Sequence, residues 1–117
     1  LGDGTFQDVT AAAGLAGVKG SQVSLADTDN DGLLDLFLIG DEIESDSPDR
    51  LFRNVGQGRF TDASASSGLA VVHKGKGHSG VWGDYNKDGY QDLMVTNGGG
   101  SVAPFGPHRL YRNRGQG

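Results

Sequence analysis

Asp27-Thr-Asp-Asn-Asp-Gly-Leu-Leu-Asp35 sets carboxylates at positions 1, 3, 5 and 9 of a nine-residue window. Asp84-Tyr-Asn-Lys-Asp-Gly-Tyr-Gln-Asp92 repeats the register with Asn86 at position 3. On a tightly curled loop alternate residues point inward. The oxygens of Asp27, Asp29, Asp31, the Leu33 carbonyl and Asp35 then converge in the first window, and those of Asp84, Asn86, Asp88, the Tyr90 carbonyl and Asp92 in the second. Gly32 and Gly89, at position 6, permit the sharp bend such a loop needs. Five hard oxygens without nitrogen or sulfur select Ca²⁺ over zinc or copper, and a flexible ring suits Ca²⁺ better than octahedral Mg²⁺. Filling both sites takes the formal net charge from -5 to -1. An EF-hand requires glutamate at position 12 and flanking helices, whereas position 12 here is Leu38 or Val95, inside strand-like runs. One acidic stretch is ordinarily a solvated turn. Two copies in the same register argue for a cation.

Little else in the chain offers chemistry. There is no cysteine, so a thiolate metal site, a disulfide framework and a cysteine nucleophile are excluded. His73, His78 and His108 are spaced without pattern beside loop-like segments, and no catalytic group is expected. The ten Lys and Arg residues are scattered through an acidic chain, which argues against a nucleic-acid partner. The longest apolar run, Leu36 to Ile39, is far too short for a membrane span.

The elements that must position the acidic windows are repeated too. Gly4-Thr-Phe-Gln-Asp8 recurs as Gly58-Arg-Phe-Thr-Asp62 at an offset of 54, the acidic window recurs at 57, and Leu51-Phe-Arg-Asn54 recurs as Leu110-Tyr-Arg-Asn113 at 59. The offset grows between motifs, so insertions fall in the connections and the motifs are structural constants. With 21 glycines and 35% hydrophobic residues, a helix bundle is excluded.

Short strands are expected at Ser21 to Ala26, Leu33 to Ile39, Arg50 to Asn54 and Arg59 to Asp62, then at Ser79 to Gly83, Tyr90 to Thr96 and Arg109 to Asn113. Leu33 to Ile39 is apolar on both faces apart from Asp35, the pattern of a doubly covered strand. Thr5 to Val9 reads as a fourth strand without a blade of its own, and Arg109 to Asn113 as a third strand awaiting a fourth. Four strands per unit, in tandem, predict an all-β chain of two four-stranded antiparallel β-propeller blades, one of them split between the chain ends, and not a closed propeller by itself. The units run approximately over 4–57 and 58–117, parts of one propeller domain.

The motif Asp-x-Asp-x-Asp-Gly-x-x-Asp-Leu, followed by Leu-Phe-Arg-Asn-x-Gly-x-Gly-x-Phe-Thr-Asp and Ser-Gly-Leu-Ala, resembles the FG-GAP or VCBS repeat of integrin α-chain propellers and of some lectins. Gly80-Val-Trp-Gly-Asp-Tyr-Asn-Lys-Asp-Gly-Tyr-Gln-Asp-Leu93 is similar to secreted ASPIC/UnbV-type, cartilage acidic protein-like members. The resemblance covers nearly the whole chain. It implies calcium-bound blades with the ion between the first two strands, and it implies little about function.

An extracellular module for adhesion or protein binding, with structural Ca²⁺ and no enzymatic activity, is the expected function. A lectin-like propeller, or accessory blades of a polysaccharide-active enzyme, are the alternatives. In a meander the acidic loops and the Asn-x-Gly-x-Gly turns share one end. Segments 40–49 and 97–108 share the other with the connections 16–20 and 70–77, and this second end, including Phe105, is the expected surface for a protein or glycan ligand. Trp82 aligns with Leu25 and is expected to fill blade-to-blade packing. The two unpaired chain ends imply further blades, from a longer polypeptide or from identical chains.

Overall fold

The computed structural model describes residues 2–40, 48–70, 77–97 and 107–115. Two antiparallel sheets follow one another along the chain. The first has four strands in sequential order, β1 (Gln22–Ala26), β2 (Asp35–Ile39), β3 (Arg50–Asn54) and β4 (Phe60–Asp62). The second has three, β5 (Gly77–Gly83), β6 (Asp92–Asn97) and β7 (Arg109–Tyr111). These are the blades of an open, all-β array. Between them lies one helical turn, α1 (Ser64–Ser67), which the sequence reading did not anticipate. It ends at Gly68, where φ of 77° stops further winding.

β2 and β6 begin two residues later than expected, at Asp35 and Asp92, because positions 7 and 8 of each acidic window still belong to the turn. The segment from Thr5 to Val9 makes no ladder with any described strand, and Phe6 is exposed. β7 likewise has no partner on its outer edge among the described residues.

The hydrophobic core lies between the blades. Ser24, Phe37 and Leu51 stand side by side across β1, β2 and β3. Phe37, Ile39 and Leu51 from this face join Leu93 and Val95 of β6, with Trp82 and Tyr111 packed at the margin. Phe37 meets Trp82 edge to face, with centroids 6.0 Å apart and planes at 88°, the geometry that an aromatic quadrupole favours. Trp82 donates from Nε1 to Ser24 Oγ at 3.1 Å, which satisfies its one polar atom across the interface. The expectation that Trp82 fills blade packing therefore holds. Gly80 makes room for the phenyl ring, since a Cβ there would stand 3.0 Å from two Phe37 ring carbons.

The opposite faces are less covered than the two-sided apolar pattern of β2 suggests. Leu36 and Leu38 are only half-buried, and Val23 and Leu25 are exposed on the same face. On the far side of the second blade, Val81, Met94 and Leu110 form one exposed cross-strand row. This row corresponds, at the repeat offsets, to Ser24, Phe37 and Leu51.

Candidate functional site

Each acidic window forms the turn between the first two strands of its blade, at the end that also carries the β3–β4 turn. The first carboxylate closes the loop on itself. Asp27 accepts the Asp31 N–H on Oδ1 at 3.1 Å and the Gly32 N–H on Oδ2 at 2.9 Å. Asp84 does the same with Asp88 at 3.0 Å and Gly89 at 2.8 Å. The backbone reverses through left-handed residues at positions 4 and 6, Asn30 and Gly32 in one loop and Lys87 and Gly89 in the other. Position 5 then accepts from position 7, with Leu33 N to Asp31 Oδ1 at 2.8 Å and Tyr90 N to Asp88 Oδ1 at 3.0 Å.

In the first loop Asp27, Asp29 and Asp31 each present an oxygen within 4.8 Å of the others. That spread is one that a single Ca²⁺, with contacts of about 2.3–2.6 Å, can bridge. Asp29 is the least satisfied of the three. Its Oδ2 pairs with Arg53 at 2.8 Å, while its Oδ1 is buried with no hydrogen-bond partner. Desolvation pushes the Asp29 carboxyl above the ordinary range, Arg53 opposes the shift, and the nearby Asp31 and Asp35 charges add to it. A buried, unpartnered carboxylate oxygen among like charges fits a hard cation. In the second loop Asn86 replaces the position-3 carboxylate. Its Oδ1 accepts the Asp88 N–H at 3.2 Å and its Nδ2 donates to Asp88 Oδ2 at 2.9 Å.

The position-9 acids, Asp35 and Asp92, are buried beneath the loops rather than grouped with the other carboxylates. Asp35 accepts from Thr28 through both N–H, at 3.0 Å, and hydroxyl, and from the Asn54 N–H at 2.9 Å. Asp92 accepts from the N–H groups of Tyr85 at 3.2 Å and Asn113 at 2.7 Å. These donors satisfy the buried charge and tie the loop to the end of β3 in the first blade and to the residues just after β7 in the second.

The partners at the end of β3 and after β7 are not among the site residues expected from the sequence. Asn54 donates from Nδ2 to the Leu34 carbonyl at 3.1 Å and accepts the Gly56 N–H at 3.0 Å. Asn113 repeats both contacts, to the Gln91 carbonyl at 3.1 Å and from Gly115 at 3.0 Å. Arg112 lies 3.7 Å from Asp88 Oδ2, where Arg53 reaches Asp29 in the first blade. The signal was present in the repeated Phe/Tyr-Arg-Asn motif, but a role needed the register.

At the opposite end, most of the expected partner surface, including Phe105, lies outside the described residues, as does His73. His108 accepts the Asn97 N–H on Nδ1 at 3.1 Å, a local structural contact. No helix among the described residues is long and apolar enough to cross a membrane.

The model of an FG-GAP-like repeat matches residues 27–95, and that of an FG-GAP repeat matches residues 77–115. Cartilage acidic protein 1 from Homo sapiens is 34% identical over 107 residues, covering 91% of this chain and 14% of the relative. The protein of that name from Mus musculus is 33% identical, and that from Xenopus tropicalis 30%, each over 91% of this chain and 15% of the relative. The chain thus spans about one seventh of the length of the curated relatives it matches.

Proposed function

Because the chain belongs to the FG-GAP repeat family, we propose that it is a calcium-stabilised part of an extracellular β-propeller that acts as a binding or adhesion module and not as an enzyme. The observation that carries the reading is the buried, unpartnered Asp29 Oδ1 within the Asp27, Asp29 and Asp31 cluster. Asp27, Asp29 and Asp31 hold one ion with the Leu33 carbonyl, and Asp35, whose oxygens keep lone pairs beyond those taken by Thr28 and Asn54, closes the shell from beneath. Asp84, Asn86, Asp88, the Tyr90 carbonyl and Asp92 hold the second. The role of Ca²⁺ is to remove the mutual repulsion of the carboxylates and to fix the turn between the first two strands. The two units, divided near residue 58, belong to one propeller domain.

With a dissociation constant of about 10⁻⁴ M, as extracellular modules have, millimolar Ca²⁺ adds roughly 1.4 kcal/mol per site by mass action. Such sites fill outside the cytosol. Relatives named for cartilage support the same setting. The exposed Val81, Met94 and Leu110 row is covered by a further blade of the same type, because its counterpart on the first blade is the face that packs against Gly80 and Trp82. A protein ligand binds at the end opposite the acidic loops. The lectin alternative has less support, since Trp82 is engaged with Phe37 and Ser24 and is not a free stacking platform. Thermal unfolding of the chain in millimolar Ca²⁺ and in excess EGTA tests the reading. A higher midpoint with Ca²⁺ is expected, and an unchanged midpoint would overturn it.

A further inference from the structure

We infer that Asn30 and Asn113 join the two acidic loops into one coupled unit, so that a cation held by either loop raises the affinity of the other. The inference rests on the cation reading above and adds a relation between the two sites.

Asn113 and Asn54 occupy equivalent places, and comparing them isolates the coupling contact. Each donates its N–H to the position-9 carboxylate of its own blade, each donates from Nδ2 to the position-8 carbonyl, and each accepts from the glycine two residues on. Asn113 makes one contact more. Its Nδ2 also donates to the Thr28 carbonyl of the first loop at 2.8 Å. The Thr28 N–H in turn donates to Asp35 Oδ2 at 3.0 Å. Thr28 and Asn113 therefore link the buried carboxylates Asp35 and Asp92 through three hydrogen bonds and the covalent frames of the two residues.

A second tie runs between the loop tips. Asn30 Nδ2 donates to the Gly89 carbonyl at 3.0 Å, and the Gly89 N–H donates to Asp84 Oδ2 at 2.8 Å. Asn30 stands between Asp29 and Asp31, so the residue that crosses to the second loop is flanked by two acids of the first. A cation that fixes Asp84 and the Gly89 peptide also fixes the acceptor that orders Asn30. The ordering cost of the first loop is then partly met before its own ion arrives, which is the condition for positive coupling. Repulsion between the two ions opposes this and is screened at physiological salt because both tips are exposed.

Calorimetric titration of the 117-residue chain with CaCl₂ tests the inference, with Asp88→Asn used to weaken the second loop. Weakening that loop is expected to lower the affinity of the first by about fivefold, the scale of one or two net hydrogen bonds. The wild-type isotherm, which needs no weakened loop, is expected to show cooperative filling. In Asn30→Gly, which keeps the left-handed backbone but removes the amide, and in Asn113→Ser, the first loop is expected to become indifferent to the second. Asn54→Ser loses the same contacts within its blade and is expected to keep the coupling. Amide exchange at Asp31 and Gly32 supplies a second readout: their protection should respond to Asp88→Asn only while Asn30 and Asn113 are intact. Two ions that bind independently in the wild type would overturn the coupling alone. A chain that takes up no Ca²⁺ would overturn the cation reading and the coupling with it.

Discussion

The Asn30 amide lies 3.0 Å from the Gly89 carbonyl, so the left-handed residue at one loop tip rests on the bend residue of the other. The acidic ends of neighbouring blades are thus in direct contact, although their sequences are 57 residues apart.

Asp29 is expected to give opposite effects with and without Ca²⁺. Its carboxyl is held above the ordinary range mainly by desolvation, which means the charged form is disfavoured in the fold. Asp29→Asn should raise the melting midpoint in EGTA and lower it relative to wild type in millimolar Ca²⁺. Paired thermal scans check the crossing, and a change of the same sign in both conditions would contradict it.

Lys87 adopts φ of 60°, the conformation that Asn30 holds at the equivalent position. A left-handed backbone costs a side chain without local hydrogen-bonding capacity about 1 kcal/mol more than it costs asparagine or glycine. Lys87→Asn is therefore expected to stabilise the chain by roughly that amount, read by urea denaturation. Gly32→Ala, placed at φ of 87°, should destabilise it by a similar or larger margin.

The blade interface depends on a large ring meeting a residue with no side chain. Phe37→Ala should cost about 3–5 kcal/mol through the cavity it leaves. Gly80→Ala should cost roughly 1–3 kcal/mol, because its Cβ would stand 3.0 Å from the Phe37 ring. Chemical denaturation of the two variants and the double variant checks this, and the double variant should recover part of the loss from Gly80→Ala.

Ser64 sets an acid-dependent contribution. Its hydroxyl is the main cause that holds the Asp62 carboxyl below the ordinary range, and its oxygen accepts the Leu51 N–H at 3.0 Å. Ionised Asp62 therefore favours the fold above the unfolded carboxylate pKa of about 3.9, and this contribution is lost as pH falls below that value through the folded one. Ser64→Ala should reduce stability at neutral pH by about 1–3 kcal/mol, largely by leaving the buried Leu51 N–H without its acceptor. The acid limb of its stability curve should also be shallower, which a denaturation series from pH 5 to about 2.5 measures.

Much of this architecture is legible in the sequence because the repeat prints the same information twice. Strand order, the acidic turns and the place of Trp82 follow from aligning one copy on the other. The functions of Arg53, Asn54 and Asn113 do not, because each acts on a loop about 20 residues earlier and the contact exists only once β3 or β7 has been set in register. Asp35 and Asp92 were legible as acids of the loop, whereas their burial under Thr28, Tyr85 and the asparagines emerges from three-dimensional packing. α1 escaped notice because a single helical turn of Ser-Ala-Ser-Ser has no periodic apolar face to detect.

The correspondence between Ser24, Phe37 and Leu51 on one blade and Val81, Met94 and Leu110 on the next has a consequence for counting. A contact surface that recurs from unit to unit specifies what comes next but carries no instruction to stop. In such an array the total number of units is an angular quantity, fixed by the wedge between consecutive sheets and by how many wedges complete a circle. Among the described residues the two sheets approach each other where the Phe37 ring faces Gly80, so the size of one ring and the absence of one Cβ set how closely consecutive units lie.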